Sequence, residues 1–477
     1  MRTTGWVAAV GAVAALLLAV VPVVGGAEAP VDRPAPAWTR CPGPDVPDGM
    51  QCASIEVPVD WSRPTGRRIA LPLARLPGTD PDRRIGVVFA VPGGPGVSGI
   101  DDMKRSSATL MALRERFDVV TFAPRNARTA LAPVCSEFGP VQVPPADQDE
   151  FDAQAAGNRA ALQRCRDADP ELFDHLDSAS VARDVDAVRA ALGESRLSLM
   201  ASSYGGVPAA AYARLFPARV RAAFLDGVIP HVAAAELDRI GYRTVEENFD
   251  RFADWCAGDR ACALHGEDVS GVWLALVEVA DRGPVPVPGA GPEAAFSGFD
   301  LKLHAGVMLN SGQWGRFAES VAAARRGDAS GFATLLPLPK QPMFPFGSAV
   351  HCQDGLGYPD HAEYLRAEER AVALSPHFAG LGHALHLPCS GWTGPVADPP
   401  APLPGDDLPP LLGAGSWGDG VLTEAAAGQV PGSVVVRYEG PGHVLYQSGN
   451  ACVIEHADRY LVELRLPPVG TRCHPAG

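Results

Sequence analysis

The sequence predicts an α/β fold, a mostly parallel sheet flanked by helices and interrupted by one mainly helical insertion. Short continuous apolar runs at 85–91, 117–123, 197–201 and 220–225 read as strands covered on both faces, as parallel sheets require. Helix-period segments at 180–192 and 207–216 alternate with them, which makes right-handed βα units. From about 229 to about 400 the buried-strand runs fade, and 236–255, 271–279 and 312–325 have helical spacing, with a Pro/Gly linker at 283–292.

A chain of 477 residues exceeds the usual single core, so a large domain with an insertion, or two domains, is expected. The division predicted is 30–228 for the first part of the core, 229–400 for the helical cap and 401–477 for the C-terminal part of the core. With 47% hydrophobic and 20% charged residues the chain is globular. Its net charge of −15 argues against nucleic acid and anionic membrane surfaces as partners, since both need basic patches. Residues 1–29 carry Arg2, an apolar run from Trp6 to Val24 and Ala27-Glu28-Ala29, the form of a cleavable signal peptide. The apolar run approaches the spanning length of about 20 residues, so an uncleaved anchor is the alternative. Pro22 and the two glycines after it favour cleavage, which predicts secretion without stable membrane insertion. Export makes the 10 cysteines readable as disulfides. Nearest-neighbour grouping pairs Cys41 with Cys52, Cys135 with Cys165, Cys256 with Cys262, Cys352 with Cys389 and Cys452 with Cys473, although spacing alone leaves connectivity open. A metal site is the rival reading at His383, His386 and Cys389, but no second cluster completes a tetrahedral set.

In chain order, 53–59 and 68–76 alternate as antiparallel edge strands do. The strand at 85–91 runs into Pro92-Gly93-Gly94-Pro95-Gly96-Val97-Ser98-Gly99. Glycines after a buried strand let the backbone turn sharply with its N–H groups unscreened, which is how an oxyanion hole or anion nest is built. No GK[ST] follows, so a phosphate-binding P-loop is disfavoured. The strand at 117–123 ends in Pro124-Arg125-Asn126, and a loop-rich region holding Cys135 and Cys165 follows. Next come the helix at 180–192, the strand at 197–201 and the turn Ala201-Ser202-Ser203-Tyr204-Gly205. These five residues are one substitution from GxSxG, the strained strand-to-helix turn that lifts a serine Oγ clear of a sheet. A plain βα turn containing serines would read the same over so short a stretch. The sheet resumes at 410–412 and 433–438, and a closing helix is expected at 452–464.

A serine at neutral pH needs a base, and the base needs an acid to hold its tautomer. His443, in Gly440-Pro441-Gly442-His443, is the histidine that follows a core strand in a glycine-flanked turn. Asp419 follows the strand at 410–412 and lies between serine and histidine in chain order, as the triad acid of an α/β-hydrolase does, whereas Asp406 and Asp407 precede that strand and Glu424 would serve only with a shifted loop. With these residues assembled, the chain resembles the secreted tripeptidyl aminopeptidases, in the prolyl-aminopeptidase-like branch of the α/β-hydrolases. Gly93 to Gly99, Ala182-Arg183-Asp184-Val185-Asp186, Ser203-Tyr204-Gly205, Asp226-Gly227-Val228 and the His443 turn carry the likeness, which covers essentially the whole mature chain. The resemblance implies a helical cap over the active edge and a serine peptidase that removes tripeptides or single residues from free N-termini. It also implies Ser203 as nucleophile, His443 as base and the N–H groups of Gly94 and Tyr204 as oxyanion hole. Peptide is the expected partner, and no cofactor or metal is expected. The chain departs from the family in having Ala123 for Asp before Pro124-Arg125, Asn126 for Gly, Ala201 for Gly, and an unusual turn at Asp419. Activity on free N-termini also requires a carboxylate for the substrate ammonium, for which Glu246, Glu247 and Asp354 are the candidates. An esterase or amidase of the same fold, or an attenuated homologue acting as a binding protein, would share the motif set.

Overall fold

The computed structural model describes residues 35–131, 133–136, 142–291, 294–333, 348–381 and 386–475. The segment read as a signal peptide and His383 lie outside them. The strands are β1 (Thr39–Arg40), β2 (Gln51–Pro58), β3 (Arg68–Leu76), β4 (Gly86–Val91), β5 (Phe117–Phe122), β6 (Leu197–Ser202), β7 (Val220–Asp226), the small pair β8 (Val285–Pro286) and β9 (Ala295–Phe296), β10 (Leu412–Gly415), β11 (Val434–Tyr438) and β12 (Arg472–Cys473). Ten of them form one sheet in the order β1-β2-β3-β5-β4-β6-β7-β10-β11-β12. From β5 through β12 every neighbouring pair is parallel, while β1, β2 and β3 add an antiparallel edge.

The parallel order follows from the βα repeats. Helix Ser178–Ala191 returns the chain to β6, and helix Gly206–Leu215 carries it on to β7. Val181, Val185 and Val188 of the first helix and Ala209, Ala211 and Ala213 of the second pack on one face of the sheet with Phe89, Leu199 and Leu225. The closing helix Ala451–Glu463 covers the other face, where Val453, Tyr460 and Leu461 meet Val88, Met200 and Phe224. Near-continuous burial along β4 and β6 is what a sheet sandwiched by helices demands.

Between β7 and β10 the chain is mainly helical. Helices Ala234–Gly258, Val269–Arg282, Gly298–Asn310, Trp314–Ala324, Ser348–Gln353 and His361–Leu374 fall there, and Phe249, Phe252, Trp273, Phe317, Phe332 and Phe378 make an aromatic core of the segment's own. The region expected to be loop-rich before the elbow instead contains helix Gln148–Ala168, 21 residues long. Its buried positions Phe151, Ala155, Asn158, Leu162 and Cys165 do recur at helical spacing, but only two are large apolar residues, so the sequence pattern is faint.

All ten cysteines are paired, as 41–52, 135–165, 256–262, 352–389 and 452–473. Cys389 therefore has no thiolate to offer, and the metal alternative with His386 fails. Among the described residues, no helix is long and apolar enough to cross a membrane.

Candidate active site

The C-terminal ends of β4, β6, β7, β10 and β11 converge on one edge of the sheet, where open α/β sheets place their ligands. Ser203 follows β6 with φ +53, a left-handed conformation that L-residues other than Gly seldom adopt. Such strain persists when the surroundings over-determine it, and here they do. The Ser203 carbonyl accepts the Ile229 N–H at 3.0 Å. A Cβ on Gly205 would lie 2.4 Å from the Val91 carbonyl, and one on Gly206 would lie 2.6 Å from the Ile229 carbonyl. The small residues after the serine thus let the elbow helix sit directly on β4 and on the loop after β7. Ala201 packs in the core at 0% exposure, so one methyl is tolerated there.

The glycine loop after β4 runs against the serine. A Cβ on Gly93 would stand 2.7 Å from Ser203 Cβ and 3.3 Å from its Oγ, and Gly94 has φ +110. Among the described residues the Gly94 N–H donates to no carbonyl. Tyr204 is buried, and its hydroxyl donates to Asp354 Oδ2 at 2.7 Å.

Asp419 and His443 come together although 24 residues separate them. The carboxylate of Asp419, 5% exposed, places Oδ2 2.7 Å from His443 Nδ1, while Oδ1 accepts the Ser416 N–H at 2.6 Å and its hydroxyl at 3.0 Å. The turn at Asp419 is shaped by what lies under it. Gly227 has φ +59, and a Cβ there would be 2.5 Å from Asp419 Oδ2 and 3.2 Å from His443 Nδ1. The Ser416 hydroxyl also reaches the Gly442 carbonyl at 2.5 Å, tying the acid loop to the histidine loop. Behind the pair, Asp226 accepts the N–H groups of Leu445 at 2.8 Å and Tyr446 at 2.9 Å. Burial pushes Asp226 up to about 7, against those two donors and with the Asp419 charge adding to the rise. The His443 side chain is 55% exposed; what burial it has favours the neutral ring, but the hydrogen bond and charge of Asp419, then the charge of Asp226, outweigh it and raise the pKa. The bond to Nδ1 leaves Nε2 as the nitrogen able to take a proton. No hydrogen bond joins Ser203 Oγ to His443 in this arrangement, and such contacts commonly tighten only with substrate in place.

The three carboxylates considered for a substrate ammonium have different surroundings. Asp354 is 0% exposed and accepts the Ser178 N–H at 2.8 Å, the Ser178 hydroxyl at 2.6 Å and the Tyr204 hydroxyl. All three of these donors are internal to the fold. Glu246 is spoken for as well, by His377 Nδ1 at 2.5 Å and the Ser375 hydroxyl at 2.7 Å, and His377 Nε2 in turn meets Ser270 Oγ at 2.6 Å. This Ser-His-Glu chain resembles a triad in outline, but the neighbouring Gly271 and Val272 N–H groups are taken by Asp268. Glu247 alone of the three is well exposed, 3.4 Å from Arg251 on a groove lined also by Trp417, and neither Ser203 nor His443 lines that groove.

The supporting contacts of Asp226, Ser416 and Gly93 were not foreseen, although Gly93 and Asp226 lie in motifs the sequence displays; each matters through a contact with another segment. A buried Asp ending a core strand, as in Asp226-Gly227, was the available signal for the first.

A strained serine elbow, a glycine loop against it and an acid–histidine pair at the ends of neighbouring parallel strands define a serine hydrolase of the α/β-hydrolase fold. A family model described as "alpha/beta hydrolase fold" matches residues 86–279, and one described as "TAP-like protein" matches residues 378–473. The chain has the α/β-hydrolase fold and is similar to the TAP-like proteins of that superfamily. It is 28% identical to the serine protease Hip1 of Mycobacterium tuberculosis, over 98% of this chain and 96% of that protein. A tripeptidyl aminopeptidase of Streptomyces lividans is 26% identical over 92% and 86% of the two chains, and a carboxylesterase B of Mycobacterium tuberculosis is 26% identical over 94% and 91%. Among solved structures, a proline iminopeptidase of Mycobacterium smegmatis aligns with a TM-score of 0.39 at 13% identity, covering 86% of this chain and 98% of that one.

Proposed function

We propose that the protein is an exported serine peptidase that releases short peptides or single residues from free N-termini through an acyl-enzyme on Ser203. The observation that carries the reading is the Asp419–His443 contact of 2.7 Å at the edge where Ser203 is held in its elbow. In this scheme His443 Nε2 takes the Ser203 proton as Oγ attacks the scissile carbonyl, and Asp419 stabilises the imidazolium through Nδ1. The N–H groups of Gly94 and Tyr204 receive the developing oxyanion. His443 then returns the proton to the leaving amine, and water releases the acyl group by the same path. The Asp419 carboxylate, reaching the histidine, supports a working triad over a non-catalytic relative.

Relatives named tripeptidyl aminopeptidase and serine protease support the peptidase assignment. Five disulfides support export, because cytosolic thiols are kept reduced. A second reading, an esterase, is favoured by the relative named carboxylesterase. The test is a set of tripeptidyl and aminoacyl reporter amides with free or acetylated N-termini, beside the matching esters. Turnover of free amides, lost in Ser203→Ala, supports the peptidase; faster hydrolysis of the acetylated forms sinks the N-terminal specificity, and turnover of esters alone favours the second reading.

A further inference from the structure

A cavity of about 130 Å³ opens beside the elbow. Gly94 and Tyr204 bound it, so it reaches the backbone of the proposed oxyanion turn. Ile229, Leu237 and Leu356 supply an apolar wall, and two histidines of the inserted segment, His351 and His386, supply the polar lining.

The two histidines are not equivalent. His386 is committed on both ring nitrogens, Nδ1 to the Leu356 carbonyl at 3.0 Å and Nε2 to Asp238 at 3.2 Å. Burial works against its charge, yet Asp238 overcomes this and raises its pKa. His351 is 8% exposed, its ring 5.0 Å from that of Tyr204, and its imidazole has no hydrogen-bond partner among the described residues. Burial, reinforced by the nearby His386 charge, holds it down at about 3. It is a neutral ring, offering one donor and one acceptor. A buried polar group left unpaired is costly, so a lone imidazole facing a cavity is a place where a ligand group is expected to bond.

We propose that this cavity receives the substrate side chain next to the scissile bond on the acyl side, and that His351 selects an uncharged side chain bearing a hydroxyl or amide. The proposal rests on the Ser203 acyl-enzyme reading above. The acyl side follows from the lining: the leaving group must lie against His443, which protonates it, and His443 does not line this cavity. Size follows from volume, since a cavity of about 150 Å³ holds benzene. A branched or short polar side chain fits, whereas an indole does not. Charge is disfavoured on both counts. Among the described residues no carboxylate lines the cavity to meet a cation, and an anion would face a neutral imidazole and a histidine already neutralised by Asp238. The Cys352–Cys389 disulfide joins the two short segments that carry His351 and His386, holding the pocket's polar side in place.

The experiment compares kcat/KM for tripeptidyl reporter amides and matching esters that differ only in Thr against Val at the acyl terminus, with Lys and Glu forms as charge controls. Each is measured on the whole protein and on the His351→Leu and His351→Gln variants, with fluorophosphonate labelling of Ser203 counting folded sites. The wild type is expected to favour Thr over the isosteric Val by roughly tenfold or more, as sites built to bond a substrate hydroxyl do. His351→Leu should reverse that preference and His351→Gln should retain it. A Thr/Val ratio near one in the wild type, an unchanged ratio in His351→Leu, or faster turnover of the Lys or Glu forms overturns the proposal. Turnover of esters without amides removes the peptidase reading while the Thr/Val ratio still decides the role of the pocket.

Discussion

The carboxylate of Asp419 is gripped from two sides, by Ser416 on Oδ1 and by His443 on Oδ2. Its replacement by Asn keeps the shape and removes the charge that stabilises the imidazolium. Asp419→Asn is expected to lower kcat by about 10⁴, measured against wild type on any turned-over reporter. The pH profile should move too. His443 must be neutral to act as base, and its pKa is raised, so kcat/KM should fall as pH drops through a value above that of a free imidazole. Without the Asp419 charge that acid limb moves to lower pH. Gly93→Ala puts a methyl where Ser203 Cβ stands at 2.7 Å and the Ser202 carbonyl at 3.0 Å. A shift of about 1 Å in the nucleophile costs on the order of 10² in rate, so this variant should fold yet label slowly with a fluorophosphonate. Ser203, Asp419 and His443 were legible because each follows a strand in a turn of small residues, a pattern the sequence displays. His351 was not, since its meaning lies in which remote segment packs on it, and no local pattern records that; Asp226 showed its place at a strand end but not the N–H groups it accepts.

Two buried charge systems hold elements to one another. Arg125, 1% exposed, donates to both oxygens of Asp184 at 2.7 Å and to the carbonyls of Val59 and Pro58, which joins the end of β5 to helix Ser178–Ala191 and to the end of β2. Removing one partner strands the other charge, so Arg125→Met should destabilise the fold by about 3–5 kcal/mol, read as a lower denaturant midpoint. Asp354 links the inserted segment to the elbow through Tyr204 and to the same helix through Ser178. Burial, against the donors Ser178 and Tyr204, pushes it up to about 8 from the usual carboxylate range. The folded chain therefore keeps a proton that the unfolded chain has released from about pH 4 upward, and stability falls as pH rises between there and about 8. Asp354→Asn should flatten that part of the stability–pH curve; an unchanged slope would count against this assignment. Strand elements were readable because a parallel sheet writes continuous apolar runs. Helix Gln148–Ala168 was not, because it buries alanine, asparagine and cysteine where a strong signal needs leucine.

At the scale of the molecule, the segment between β7 and β10 has its own aromatic core, while a separate cluster joins it to the sheet body, with Tyr204 and Val207 meeting Leu237, Val350, Cys352, Leu356 and Cys389. The disulfides act on these two regions differently. Cys256–Cys262 closes a loop of 6 residues inside the aromatic core, and Cys352–Cys389 spans 37 and lies in the joining cluster. The chain-entropy relation assigns about 2 kcal/mol to the first loop and about 4 kcal/mol to the second. Paired Cys→Ser variants should therefore lose stability in that order, measured as denaturant midpoints at constant slope. Function should separate them further. Cys352→Ser with Cys389→Ser frees the segments that bring His351 and His386 to the elbow, so selectivity among acyl side chains should weaken even where the protein remains folded. Cys256→Ser with Cys262→Ser touches neither segment and should leave that selectivity intact. Equal effects of the two variants on selectivity would mean that the inserted segment answers as one rigid body, and that the joining cluster holds the pocket without help from its disulfide.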